Sequence, residues 1–281
     1  MGRKWLILIL IFALLVGGFF VRVPKMAHIQ LPAEKLADIG AFPVVNSMLA
    51  TWVTMIVLLA LAWAGTRKMN VVPGRLQSLL ELVVEFLVGL VESVAGPAKG
   101  RRFFTIVASI FLFILVNNWL GLFPLFGSLG FWEAAHGAEA EPMFVPLLRS
   151  ASTDLNTTIA LAVVSVAITQ VYGVQHLGFG SYAAKFVNLK GGPFGVFVGV
   201  LEIISEFAKI ISLSFRLFGN IFAGEVLLAT MAFLIPWVAS VPFMGLELFV
   251  GMMQAFVFAM LTLVFMTMAT TSHDQHAENH H

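Results

Sequence analysis

The sequence predicts an all-α polytopic membrane protein. It would have about five core transmembrane helices, an additional N-terminal apolar segment, and a long, steeply tilted hairpin formed by the last two helices. Three observations lead there. Of the 281 residues, 59% are hydrophobic and only 11% charged, against roughly 25% charged in soluble domains. The apolar runs are long and unbroken, which suits spanning helices and excludes the alternating pattern of barrel strands. Finally, Phe194 to Ile235 is free of proline, with Pro193 before it and Pro236 after it. One helix over that stretch would be about 63 Å long at ~1.5 Å per residue. The hydrocarbon core is about 30 Å thick, so the helix must tilt steeply or run partly along the interface, against a large neighbouring surface.

Composition also narrows the function. A net charge of +1 points to no nucleic-acid partner. The absence of cysteine rules out disulfides, thiol catalysis and thiolate metal sites. No cofactor and no metal are expected.

Residues 1–23 open Met-Gly-Arg-Lys and continue from Trp5 to Phe20 without a charge, the form of a signal peptide or signal anchor. Residues 24–193 are expected to hold an external N-terminal segment, transmembrane spans and a cytoplasmic amphipathic helix. Residues 194–281 form the hairpin. Within the middle part, Pro24, Pro32 and Pro43 mark 24–45 as external. Ser47 to Gly65 is a span, and Arg67-Lys68 place its far end in the cytoplasm by the positive-inside rule. Arg75, Glu81, Glu85 and Glu92 then recur among Leu and Val at helical spacing, as in an amphipathic helix along the membrane surface. Pro73-Gly74 opens it and Gly96-Pro97 ends it.

Arg101-Arg102 mark a second cytoplasmic edge, from which Phe103 to Phe126 crosses outward carrying Asn117 and Asn118. Residues 127–150 form an external loop whose Glu133, His136, Glu139 and Glu141 read more simply as solvated groups than as a metal site. The next span, about 155–177, begins with Asp154 and Asn156. Asp154 suits a helix cap, and the pair equally suits a water-filled vestibule; sequence leaves both open. Gly178 to Gly192, with Lys185 and Lys190, returns to the cytoplasmic side. Phe243 to Met268 closes the hairpin, and the terminal His273, His276, His280 and His281 read as a polar tail.

Chemistry concentrates between Leu201 and Glu225. At ~100° per residue, Glu202, Glu206, Lys209, Arg216 and Asn220 share one helical stripe, with Ser205 and Ser212 at its edge. Glu225, nine residues after Arg216, lies on the opposite face. Ionisable groups at membrane depth cost about 2.5–3.5 kcal/mol each on insertion scales and by default mark a pathway. Glu206 and Lys209 also fit a structural ion-pair cluster or a snorkelling lysine. Glu247 and Gln254, seven apart, share a face of the last helix. Arginine does not deprotonate in proteins, so Arg216 cannot relay a proton. Its task is electrostatic: it blocks a direct leak and attracts a carboxylate that this chain does not itself supply. No GxxxxGK[ST], HExxH or GxSxG motif is present.

SLSFRLFGNIFAGE resembles the signature of subunit a of the F-type ATP synthase membrane sector, the ATP synthase A chain family. VPGRLQSLLELVVEF resembles that family's cytoplasmic helix, NNWLGLFP its following span, STDLNTT its outer segment and MMQAFVFAMLT its terminal helix. The resemblance covers roughly Leu49 to Ala269. It implies a stator subunit that passes protons through two half-channels to and from a rotating c-ring, with nucleotide chemistry in other subunits. It implies that Arg216 is the essential ring-facing arginine. Glu225, Glu247, Gln254, Asn220, Asn118, Asp154 and Asn156 would belong to the outer half-channel. Glu202 and Ser205 would belong to the cytoplasmic exit, and Glu206 and Lys209, on the same stripe, are placed with them.

The implied partners are c-ring subunits, peripheral-stalk b subunits, the remaining synthase and the lipid bilayer. The implied location is a bacterial inner membrane, multi-pass, with the C-terminus cytoplasmic. Two features depart from familiar members: the additional N-terminal apolar segment, and Glu at both 225 and 247 where a histidine often occupies one. The alternative, a self-contained secondary ion transporter, would show repeat symmetry and broken helices. Neither is visible.

Overall fold

The structure, a computed structural model, describes residues 32–39, 42–67, 69–123, 126–133, 143–186, 192–234 and 240–271. The expected N-terminal signal or anchor (1–23), the acidic stretch around His136, Glu139 and Glu141, and the terminal histidines lie outside the described residues.

The fold is all-α and polytopic, with six helices among the described residues. They are α1 (Asn46–Thr66), α2 (Arg75–Gly121), α3 (Leu155–Leu177), α4 (Phe179–Phe186), α5 (Gly192–Leu234) and α6 (Ser240–Ala269). Helices α1, α2, α3 and α6 are long and apolar enough to cross a membrane by length and composition. Helix α5 has 43 residues and carries the ionisable stripe of the chain.

Helix α2 contains a break where the sequence put one. Gly96 has φ 75° and ψ 160°, a left-handed conformation, and Pro97 follows it. A Cβ disfavours that conformation and proline removes a backbone donor, so glycine then proline bends the chain at this point. The 47-residue element is thus two helices, an exposed-faced one before Gly96 and a more buried one after it.

Two small antiparallel ribbons were not foreseen. Strand β1 (Lys35–Ile39) pairs with β2 (Phe42–Val45), and β3 (Gly130–Glu133) with β4 (Met143–Pro146). Both fall in stretches read as external, where water can satisfy the open strand edges that a bilayer could not. The stretch read as a return to the cytoplasmic side also carries a helix, α4, where only a connection was expected.

The chain forms two compact units. The first comprises 1–52, 117–154 and 218–253, and the second 53–116, 155–217 and 254–281. In the first, a Cβ added at Gly224 of α5 would collide with the Glu247 carboxyl of α6. In the second, Lys209 of α5 lies 5.1 Å from the Phe265 ring of α6.

Within the first unit, buried polar side chains tie the helix ends to the loops. Asn46, at the start of α1, donates to Glu34 Oε2 (3.1 Å) and to the Pro146 carbonyl (3.2 Å). Within the second, apolar packing dominates around Leu87, Val91, Val107, Ile114, Leu213, Leu263 and Met266, with one buried hydroxyl pair, Ser165 and Thr262, 2.8 Å apart.

Candidate proton-path groups in two units

The first unit gathers polar groups around a cavity of about 200 Å³. Asn118, Arg149, Ser150, Thr153, Glu225 and Glu247 line it. Each is brought by a different local device. Asn118, near the end of α2, donates to the Gly251 carbonyl of α6 at 3.1 Å. Glycine at 251 leaves room for this approach, since a Cβ there would stand 3.1 Å from Asn118 Cβ. Asn117 and Asn118 also hold the single 3₁₀ turn Ala151–Thr153. Ser152 Oγ accepts from Asn117 Nδ2 (2.8 Å) and donates to Asn118 Oδ1 (2.7 Å). That turn places Ser150 and Thr153 at the cavity wall.

Glu225 and Glu247, expected on one route, line the same cavity in different states. Glu225 is paired: Arg149 Nε donates to its Oε1 (3.1 Å) and Nη2 to its Oε2 (3.0 Å). Arg149 is 7% exposed, donates also to the Pro32 carbonyl (3.4 Å), and lies over the Phe222 ring. Glu247 is 6% exposed, and its Oε1 has no hydrogen-bond partner among the described residues. Ser150 Oγ is in the same condition. A polar cavity with room for several waters, lined by orphaned buried oxygens, is a site suited to water.

The other expected outer groups divide. Asp154 is buried and accepts from Ser47 Oγ at 2.7 Å, which joins the first turn of α1 to the residue after the 3₁₀ turn, both in the first unit. Asn220 is in the first unit and exposed. Asn156 and Gln254 belong to the second unit, the former exposed and the latter half-buried.

In the second unit, three expected cytoplasmic-side residues come together with one that was not nominated. Lys185 of α4 pairs with Glu202 (2.6 Å) and approaches Glu206 (4.0 Å), while Lys209 pairs with Glu206 (2.7 Å). Two lysines and two glutamates form a chain of ion pairs that fastens α4 to α5. Tyr182 of α4 donates to Gln170 of α3 in a short bond. Burial, then the nearby charges of Glu206 and Glu202, push its phenol up to about 12. Ser205 is half-buried beside this cluster on α5.

Arg216 stands apart from every cluster. It is exposed, and its guanidinium makes one hydrogen bond, to Ser212 Oγ at 3.3 Å, and no ion pair among the described residues. Phe215, next to it in α5, and Ile211, five residues earlier, are each more than half exposed.

Sequence reasoning missed Arg149, Lys185 and Ser150. Arg149 sits at the end of a loop read as solvated, with its partner 76 residues away. The one signal was its place as a lone cation directly before the STDLNTT stretch.

These features define a class: a helical membrane protein with carboxylates around a polar cavity and, on a long helix, an exposed arginine with no ion pair among the described residues. Residues 48–267 match the family described as ATP synthase A chain. Three curated relatives, each named ATP synthase subunit a, agree. The protein of Moorella thermoacetica is 34% identical over 85% of this chain and 96% of its own. That of Gloeobacter violaceus is 36% identical over 90% and 95%. That of Desulforamulus reducens is 34% identical over 84% and 82%. The chain belongs to the ATP synthase A chain family. It is thereby a membrane subunit of an F-type ATP synthase, working in a complex with the other synthase subunits.

Proposed function

We propose that this chain is the stator subunit that forms both half-channels of a proton-driven rotor, facing a c-ring and held by peripheral-stalk b subunits in a bacterial inner membrane, C-terminus cytoplasmic. The observation that carries the reading is the exposed Arg216, whose guanidinium has Ser212 as its one hydrogen-bond partner and no carboxylate partner among the described residues. A charge in such a setting calls for a counter-charge from another subunit.

On this reading the hairpin 194–281 lies steeply inclined against the ring. Protons enter through the cavity shared by Glu225 and Glu247, with Asn118, Asn220, Asp154, Asn156 and Gln254 along or beside the route. They neutralise a ring carboxylate, which can then face lipid, because an ionised carboxylate in hydrocarbon is far costlier than a protonated one. After nearly a full turn the carboxylate reaches the exit side, where Glu202, Ser205, Glu206 and Lys209 line the way out, and deprotonates beside Arg216. The arginine holds the ionised form and blocks a direct leak between the two sides.

The test is gradient-driven ATP synthesis in vesicles carrying Arg216→Lys. A planar fork of five donors reaches a moving carboxylate over a wide arc; an ammonium is a point charge that loses its proton when buried. Synthesis is expected to vanish in fully assembled complexes. Synthesis near the wild-type rate would overturn the reading.

A further inference from the structure

The second unit contains a cavity of about 620 Å³ in which the proposed proton path has no part. It lies where α2 restarts after the Gly96 bend, where α3 ends, and where the Thr270 carbonyl closes α6. Lys99, Arg102, Tyr172, Gln175 and His176 supply the rest of its polar lining, and no carboxylate among the described residues lines it.

The two fixed cations differ in what they already hold. Lys99 Nζ donates to the Thr270 carbonyl at 3.0 Å, satisfying an open carbonyl at a helix end. Arg102 makes no side-chain hydrogen bond or ion pair among the described residues and is exposed, whereas its neighbour Arg101 is paired with Glu92. The Arg102 backbone is nevertheless anchored. Tyr172 Oη donates to its carbonyl at 3.3 Å, and the Tyr172 ring stands edge-on to Phe103 with centroids 5.3 Å apart. A positioned backbone thus presents an uncommitted guanidinium at a cavity of ligand size, within the ~300–1,000 Å³ typical of such sites.

We propose that this cavity binds a phosphate group, and that the favoured source is the headgroup of an anionic phospholipid. The guanidinium fork matches phosphate oxygens two at a time, and the lysine adds a point charge. Basic pockets between membrane helices on the cytoplasmic side take such headgroups. The lipid is favoured over free phosphate by what adjoins the cations. Ile159, Val163, Val164 and Val171 form an exposed apolar stripe on α3, and that stripe leads turn by turn to Gln175 and His176. Arg101-Arg102 also mark the membrane edge by the positive-inside rule. An amphiphile with its phosphate on Arg102 and Lys99 and its chain along α3 satisfies both halves of the site.

The assembled synthase, reconstituted in phosphatidylcholine nanodiscs, is the material for the test. One arm adds a photo-crosslinkable phosphatidylglycerol; the other titrates inorganic phosphate into phosphatidylcholine discs alone. Phosphatidylglycerol adducts are expected on peptides covering 98–103 or 171–176. Arg102→Gln should reduce them about fivefold, the effect of one cation at a membrane surface. Arg102→Lys should keep most of them, and Arg101→Gln all of them. Saturable phosphate binding lost in Arg102→Gln, without lipid adducts, would support the phosphate site with free phosphate as its source. Equal losses in Arg101→Gln and Arg102→Gln, or adducts elsewhere with no phosphate binding, would overturn it. Co-purification of the other subunits in wild-type ratio separates lost binding from lost assembly.

Discussion

Arg149 and Glu225 meet at two points, Nε to Oε1 at 3.1 Å and Nη2 to Oε2 at 3.0 Å, although one lies in a loop and the other within α5. The arginine is nearly buried and the glutamate about one-third exposed. The pair therefore fixes the carboxylate at the cavity wall and leaves the guanidinium with little water of its own.

Removing the cation alone should be worse than removing both charges. Arg149→Gln leaves Glu225 ionised without its partner and should cost about 1.5–3 kcal/mol, the scale of a hydrogen bond to a charged group. Arg149→Gln with Glu225→Gln should recover part of that stability, because no lone charge remains. Thermal denaturation of assembled complexes checks the order: wild type, double variant, single variant. A single variant as stable as wild type would remove the pair from the list of structural ties.

Gly224 should tolerate no side chain. A Cβ there collides with the Glu247 carboxyl, so Gly224→Ala must displace either that group or α6. The expected cost is about 1–3 kcal/mol, as for other overpacked sites, together with a drop in proton flux comparable to Glu247→Gln. Combining Gly224→Ala with Glu247→Ser should restore the stability but not the flux. ATP-driven proton pumping alongside thermal denaturation separates the two effects.

The two cavity carboxylates should contribute unequally to transport. Glu225→Gln is expected to slow flux strongly and Glu247→Gln moderately, in complexes of matched assembly. Glu247→His should keep substantial flux while importing the imidazole's own titration, near pH ~6.5 when unperturbed, into the pH profile. If both Gln variants match wild type across a pH series, protons take another route, and Asp154 becomes the group to substitute.

Tyr182 gives a pH-dependent handle outside the spans. Its phenol is pushed up to about 12 from 10.0 by burial and by Glu206 and Glu202, so the folded state favours the protonated form. That contribution to stability is complete below pH ~10 and is lost as pH rises through about 12. A phenolate difference spectrum, wild type minus Tyr182→Phe, should show no ionisation of this residue at pH ~10, where a free tyrosine is half ionised. Half-ionisation near pH ~10 would mean that α4 does not bury it.

Much of this was legible because membrane spans are written in composition. The spans of α1 and α3 fall within a residue or so of the apolar runs, and the Gly96-Pro97 break falls where those two residues stand. The placement of Glu225 and Glu247 on one cavity wall was partly legible: both were expected on one route, Glu247 nearer the outside, but whether they meet could not be read from the sequence. Arg149 was not, because a contact 76 residues away leaves no periodicity to read. Asp154 illustrates the same limit: a cap and a vestibule were both open, and the structure shows an acceptor for Ser47, 107 residues earlier. Lys185 was noticed only as a marker of sidedness, because the helix that carries it is too short to announce itself by pattern.

The position of Arg216 also bears on the order in which such a complex can be built. A newly inserted copy of this chain carries an exposed guanidinium whose one hydrogen-bond partner among the described residues is Ser212. Until a partner arrives, that side chain costs about 2.5–3.5 kcal/mol on insertion scales. Docking of a carboxylate-bearing neighbour would remove the penalty in one event. On the proposed reading, the same side chain would then report, early in the life of the chain, whether its partner is present.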